Sequence, residues 1–192
     1  KKWIPKPGKF LDVGCGTGRL LYLAQKSGWD ACGLELDNEA AKTAVEMLDV
    51  PVTIGDFLTV DAEPDEYDLV SLRHVLEHLV DPILALKKIN FRLKPNAYAL
   101  FEMPNIDALD IRLKRVLANT GIHRKQFSED YLPGHCNEFC RASFQLLLEK
   151  TGFKLIRWET YSKKPVVNFL YTHLHIGNKA RALVDKTPIL SP

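Results

Sequence analysis

The sequence predicts an α/β fold: a doubly wound, mainly parallel sheet with helices on both flanks. Three observations predict it. Short apolar runs alternate with amphipathic helical patterns from Lys9 to Trp158, the rhythm of successive βαβ units. A glycine-rich turn, Gly14 to Gly18, follows the first apolar run directly and opens a helix. With 192 residues, 46% of them hydrophobic, the chain is long enough to bury both faces of such a sheet as one domain.

The elements follow in order. Lys9–Val13 reads as a buried first strand, and Gly18–Ser27 as a helix with Leu20, Leu21, Leu23 and Ala24 inward and Gly28 after its end. Asp30–Glu35 is the second strand. Asp37 or Asn38 caps a helix that carries Ala40, Ala41, Ala44, Val45 and Leu48 on one face and ends before Pro51. Val52–Gly55 and Tyr67–Leu72 are the third and fourth strands. Asp81-Pro82 starts a helix that stops at Pro95-Asn96, and Ala97–Met103 is the fifth strand. From Pro104 to Cys140 the rhythm breaks, and a connection of that length reads as a lid or binding segment, partly helical at Ala108–Leu117. A helix at Arg141–Lys150 and a sixth strand at Phe153–Trp158 resume the pattern. The tail, 161–192, is expected to hold a strand near Val166–Tyr171 and then a basic helix. The core is thus expected over 9–160 within a single domain of 1–192. The chain starts Lys1-Lys2-Trp3 and reaches its first strand almost at once, so it reads as a piece of a longer protein.

Charge and composition narrow the function. Twenty-six Lys and Arg against 24 Asp and Glu leave a net +2, too balanced to point to a polyanion. No apolar run approaches the ~18–20 residues of a membrane span. Four cysteines are no disulfide framework, so a reducing compartment, the cytoplasm, is expected.

The run Asp12-Val13-Gly14-Cys15-Gly16-Thr17-Gly18 lets the backbone approach a ligand closely and offers helix N–H groups to an anion. Gly14, Gly16 and the later acid Glu35 superficially fit a dinucleotide fingerprint, but that pattern needs glycine where Arg19 stands. Asp12 would also repel a pyrophosphate, whereas it suits a ligand ammonium. A ligand with an ammonium, a carboxylate, a ribose and an adenine uses the whole layout. Glu35 takes the ribose hydroxyls, and Asp56 after the third strand accepts from an adenine amino group. S-adenosylmethionine is such a ligand.

Here the sequence resembles the class I, Rossmann-like, S-adenosylmethionine-dependent methyltransferases. The match covers roughly Phe10 to Trp158 and rests on Leu11–Gly18, Gly33–Glu35, Gly55–Phe57 and Tyr67–Pro82 at the ends of successive strands. Met103-Pro104-Asn105, Pro133-Gly134-His135 with Phe139, and Gly152-Phe153 narrow it to the small-molecule branch of ubiquinone-type O-methyltransferases and sugar methyltransferases. In these relatives a serine often caps the last helix, where Cys140 stands here. The family's antiparallel seventh strand is sought at Val166–Tyr171. The resemblance implies a cofactor site formed by Asp12, Gly14, Cys15, Gly16, Thr17, Gly18, Glu35, Leu36, Asp56, Phe57, Arg73 and His78. It also implies a small-molecule methyl acceptor at oxygen, nitrogen or carbon. Arg112, Lys114, Arg115, Arg124 and Lys125 read as a solvated lid face or a contact for an anionic acceptor.

Rival readings attach to the histidines and cysteines. His74-Val75-Leu76-Glu77-His78 spells a zinc-peptidase pattern, and in ubiquinone-type relatives this turn can hold a divalent ion. His123, His135, Cys136 and Cys140 suggest zinc only loosely, since no C-x-x-C pair is present. No metal is expected. Nucleic acid is not the expected substrate: Arg73-His74-Val75 stands where base aminomethylases resemble one another in an Asp/Asn-Pro-Pro-aromatic run. None of the four cysteines follows Pro or Thr, as a cytosine C5 nucleophile would. A binding module that keeps the fold without catalysis is the alternative from another class, and the three acids Asp12, Glu35 and Asp56 argue against it. A hydroxyl acceptor needs a base near neutral pKa, and His135 in the long segment is the first candidate, with His74 the second.

Overall fold

The computed structural model describes residues 6–48, 50–108, 111–112, 134–161 and 179–186. Seven strands form one sheet in the order β3-β2-β1-β4-β5-β7-β6. They are β1 Lys9–Val13, β2 Asp30–Glu35, β3 Val52–Ile54, β4 Tyr67–Arg73, β5 Leu93–Pro104, β6 Phe153–Tyr161 and β7 Lys179–Lys186. Strands β1 to β5 pair in parallel, whereas β7 runs antiparallel to both β5 and β6. Their shared carboxyl edge is where open α/β sheets bind ligands.

Three of the four described α-helices begin where a side chain satisfies their first free N–H groups. In the exception, α1, Arg19–Lys26, that place is taken by Gly18 at φ 78°, a left-handed turn that suits glycine. For α2, Asn38–Leu48, the cap is Asp37, whose Oδ1 accepts from Glu39 N and Ala40 N. For α3, Pro82–Arg92, Asp81 Oδ1 accepts from Leu84 N at 2.9 Å. In α4, Arg141–Glu149, Cys140 forms a reciprocal box with Ser143: Sγ accepts from Ser143 N, and Ser143 Oγ accepts from Cys140 N. The thiol therefore does what a capping serine would do.

Two apolar layers result, one on each face of the sheet. Helix α1 buries Leu21 and Ala24 against Phe10, Ala31 and Leu69, with Tyr98 and Leu100 alongside. On the other face α3 and α4 bury Leu86, Ile89, Phe144 and Leu148 against Val70, Leu72, Ala99, Phe101 and Met103. That is the doubly wound arrangement the sequence predicts. No described helix is long and apolar enough to cross a membrane.

The tail departs from expectation. Val166–Tyr171 lies outside the described residues, as do His123, Lys114, Arg115, Arg124 and Lys125. The basic helix expected beyond residue 171 is overturned over 179–186, which form β7. Ala180, Ala182 and Val184 alternate inward at 0% exposure, a period of two that fills the gap between β5 and β6. Lys and Arg at the alternate positions made the same run look helical. Helix α3 also stops earlier than expected, at Arg92, and β5 begins at once, with Asn96 at φ 62° turning the chain.

Candidate functional site

The glycine turn sits at the carboxyl end of β1 and is tied to β2, with Gly14 N and Cys15 N both donating to Leu34 O. Gly14, Gly16 and Gly18 all have positive φ. A Cβ on Gly14 would strike Val75 Cγ2 at 2.3 Å and one on Gly18 would strike Leu48 Cδ1 at 2.7 Å, yet one on Gly16 meets nothing within 4 Å. Gly16 therefore borders the open space that a ligand would fill, while its neighbours are closed in by packing. Thr17 is exposed at the same turn.

Asp12, one step below the turn, is only 3% exposed and accepts a hydrogen bond from Ser71 Oγ on β4. Burial pushes its pKa up to about 6; the Ser71 bond and the Arg73 charge oppose that rise, and Glu35 adds to it. An ammonium placed beside it would relieve the cost of ionising it. Cys15 Sγ lies 3.8 Å from Gly16 O, and burial with the charges of Asp12 and Glu35 pushes the thiol up to about 12. It is a packing residue, inert as a nucleophile.

Glu35 closes β2. Its Oε1 accepts from Leu36 N at 2.8 Å and Asp37 N at 3.0 Å, and its Oε2 from Gly16 N at 2.7 Å. A carboxylate offers about four acceptor positions, so three are taken and a pair of ribose hydroxyls would displace the Gly16 bond. Leu36 (70% exposed) and Ile54 (48%) present bare apolar surface beside it, suited to a purine face. Asp56 is exposed after β3, though its Oδ1 accepts from Leu58 N at 2.8 Å. Phe57 points away into the core at 4% exposure, so only its backbone can face a ligand.

Past β4 the chain turns through His74 at φ 58° into a single 3-10 turn, Leu76–His78. The H-x-x-E-H run is therefore not an α-helix, which removes the zinc-peptidase geometry. Both His74 ring nitrogens are engaged: Nδ1 lies 3.2 Å from Glu77 Oε1, and Nε2 lies 3.2 Å from Glu102 Oε1 and 2.6 Å from Lys179 Nζ. The bonds to Glu102 and Glu77 raise its pKa. Burial pushes Glu102 upward, but hydrogen bonds from His74, Tyr161 and Arg181 outweigh it and hold the carboxyl well below the usual range.

The long segment leaves and returns at one point. Asn105 and Phe139 form a bridge, Ile106 N donates to Phe139 O, and Cys136 N and Asn137 N donate to Glu77 O. This return brings exposed His135 against His78, ring centroids 5.0 Å apart. Ligand atoms of Glu77, His78 and His135 lie within 4.8 Å of one another, and Glu77 Oε2 is buried without a partner among the described residues. These three could hold a divalent ion. Neither Cys136 nor Cys140 takes part. The sequence misses this grouping because more than fifty residues separate its members.

With that geometry in view, the comparisons decide the family. A family model described as "Methyltransferase domain" matches residues 1–157. The chain belongs to the methyltransferase-domain family. S-adenosylmethionine is the cofactor this membership implies, and the buried acid, the open Gly16 edge and the apolar Leu36–Ile54 shelf fit it. The chain is 30% identical over 105 residues to a ubiquinone biosynthesis O-methyltransferase of Aliivibrio fischeri (strain MJ11), covering 50% of this chain and 44% of that protein. It is 34% identical over 107 residues to the protein of that name from Pectobacterium atrosepticum, covering 52% and 44%. It thus spans less than half the length of the curated relatives it matches. Among solved structures, a SAM-dependent methyltransferase from Archaeoglobus fulgidus superposes with TM-score 0.70 at 19% identity, covering 96% of this chain and 89% of that one. At that identity the likeness speaks for the fold alone.

Proposed function

We propose that this methyltransferase domain moves the methyl group of S-adenosylmethionine to a hydroxyl of a small-molecule acceptor, with His135 taking the acceptor's proton. When bound, the cofactor supplies a sulfonium methyl carbon open to in-line attack. On transfer of that methyl to the acceptor oxygen, a ring nitrogen of His135 would take the hydroxyl's proton. The protein's part is alignment and the exclusion of water. Asp12 balances the cofactor's ammonium, and Glu35 orients its ribose. The Gly16 edge lets the backbone come close.

The observation that carries this reading is the placement of His135. The returning segment is pinned to the turn after β4 through Glu77 O, which sets an exposed imidazole on the carboxyl edge. His74, the second candidate for the base, has both ring nitrogens occupied, which favours His135. The test is His135→Ala, with affinity for S-adenosylhomocysteine and turnover on a panel of hydroxylated small molecules measured separately. Lost turnover with intact affinity supports the base. Weakened cofactor binding, or no change in either, removes the catalytic role. Cofactor binding without turnover on any acceptor would favour a binding module instead.

A further inference from the structure

The face of the sheet under α1 carries two rows of side chains at the carboxyl edge. The inner row starts at the cofactor site, where strand pairing aligns Asp12 with Ser71 and Ser71 with Leu100. The outer row aligns Arg73 with Glu102 and Glu102 with Arg181, across three neighbouring strands. Glu102 is buried, and its Oε2 accepts from Arg181 Nη2 at 3.0 Å and lies 3.6 Å from Arg73 Nε. Its other oxygen is occupied by Tyr161 and His74. The next acid along the row, Glu159 on β6, pairs with Arg157. Opposite the row stands the first half of α1, with Arg19, Leu20 and Leu23. Together these residues and Leu100 line a cleft of about 510 Å³.

Three guanidiniums and one carboxylate leave this cleft two positive charges in excess. Glu102 does not quench them; it pins two of them in place, so that little side-chain freedom is lost when an anion arrives. Arg19 makes no ion pair among the described residues. Arg73 is near enough to the cofactor site to lower the pKa of Asp12. Arg181 stands further out, on β7, whose backbone lies three strand spacings, about 14 Å, from that of β1. A cofactor whose ammonium sits at Asp12 carries its carboxylate on the same carbon, which favours Arg73 over Arg181 as its partner. The outer half of the cleft is then left to another anion.

We infer that this cleft between α1 and strands β4, β5 and β7 binds the anionic group of the methyl acceptor. Arg181 and Arg19 hold a carboxylate or phosphate, and Leu20, Leu23 and Leu100 carry an adjoining apolar part. The inference rests on the methyltransferase reading and adds the acceptor's chemical class: an amphipathic organic anion. Guanidinium forks match both oxyanions in geometry, so the two remain to be told apart by ligand.

The test titrates the chain, with S-adenosylhomocysteine saturating, against octanoate, octyl phosphate and the uncharged octanamide. At least one anion should bind about tenfold tighter than octanamide, the effect of one charge-assisted hydrogen bond. Whichever anion wins identifies the class, carboxylate or phosphate. R181Q and R19Q should each remove most of that preference while leaving affinity for S-adenosylhomocysteine unchanged. R19Q is the control for folding, because Arg19 is exposed and pairs with no acid among the described residues, whereas R181Q deprives buried Glu102 of a partner. Equal binding of all three probes overturns the inference, as does preference retained in R19Q. A parallel loss of S-adenosylhomocysteine affinity in R19Q overturns it too, since the cation would then serve the cofactor. Failure of the wild type to bind S-adenosylhomocysteine would instead refute the methyltransferase reading, and the same titration without it would still report on the cleft.

Discussion

Replacing Asp12 by Asn separates the cost of the cofactor site from its use. Burial raises the Asp12 carboxyl from 3.8 to about 6, so the folded state prefers it protonated. The sign follows: the folded chain holds this proton more tightly than the unfolded one, so the group's contribution to stability is greatest below pH 4. It is lost as pH rises through about 6 and is level above that. At ~1.4 kcal/mol per pH unit the interval amounts to roughly 3 kcal/mol carried as a penalty at neutral pH. Asn keeps an oxygen for the Ser71 hydroxyl but cannot ionise. Urea unfolding of both proteins from pH 4 to pH 8, without ligand, should show the variant gaining on the wild type by that amount across the range. Any packing offset of the amide is the same at every pH and cancels. In the same variant, affinity for S-adenosylhomocysteine should fall by about 10- to 100-fold at neutral pH, as expected for a lost hydrogen bond to a charged group. A stability difference that does not change with pH, or unaltered affinity, refutes the reasoning.

Other perturbations follow from the same geometry. Gly16→Ala should cost about 1–2 kcal/mol of stability for a left-handed alanine, yet weaken S-adenosylhomocysteine much more, because its Cβ enters ligand space; paired unfolding and calorimetry check this. Glu35→Ala should reduce cofactor affinity by roughly 1.5–3 kcal/mol through loss of the ribose contacts, measured against adenine alone, which should be affected less. Iodoacetamide followed by peptide mapping should modify exposed Cys136 and leave Cys15 unreacted in the folded protein, since the Cys15 thiol is buried and pushed up to about 12. Cys140→Ala should lower stability by about 0.5–2 kcal/mol through loss of the α4 cap, and Cys140→Ser should not.

The elements whose signal is local were legible in the sequence. The glycine turn, the first five strands and the Asp81-Pro82 helix start carry their own punctuation, and each forms close to where it is expected. Asp37 and Asn38 were equal candidates for a cap until the Asp37 carboxylate took two N–H groups. Strand β7 was misread because its inward residues are two alanines and a valine, a weak apolar signal beside its lysines and arginine. That strand needs β5 and β6 already in place to define its buried face. The row Arg73–Glu102–Arg181 was out of reach for the same reason: it exists only in the register of an antiparallel strand. His78 and His135 meet only because the long segment returns to Glu77 O, a tertiary fact with no local pattern.

Asp12, Gly16 and Glu35 form the proposed S-adenosylmethionine site. Calorimetric titration of the wild-type chain with S-adenosylhomocysteine and, separately, with NAD tests it most directly. Saturable one-to-one binding of S-adenosylhomocysteine and no binding of NAD are expected. Binding of NAD without S-adenosylhomocysteine would contradict that assignment.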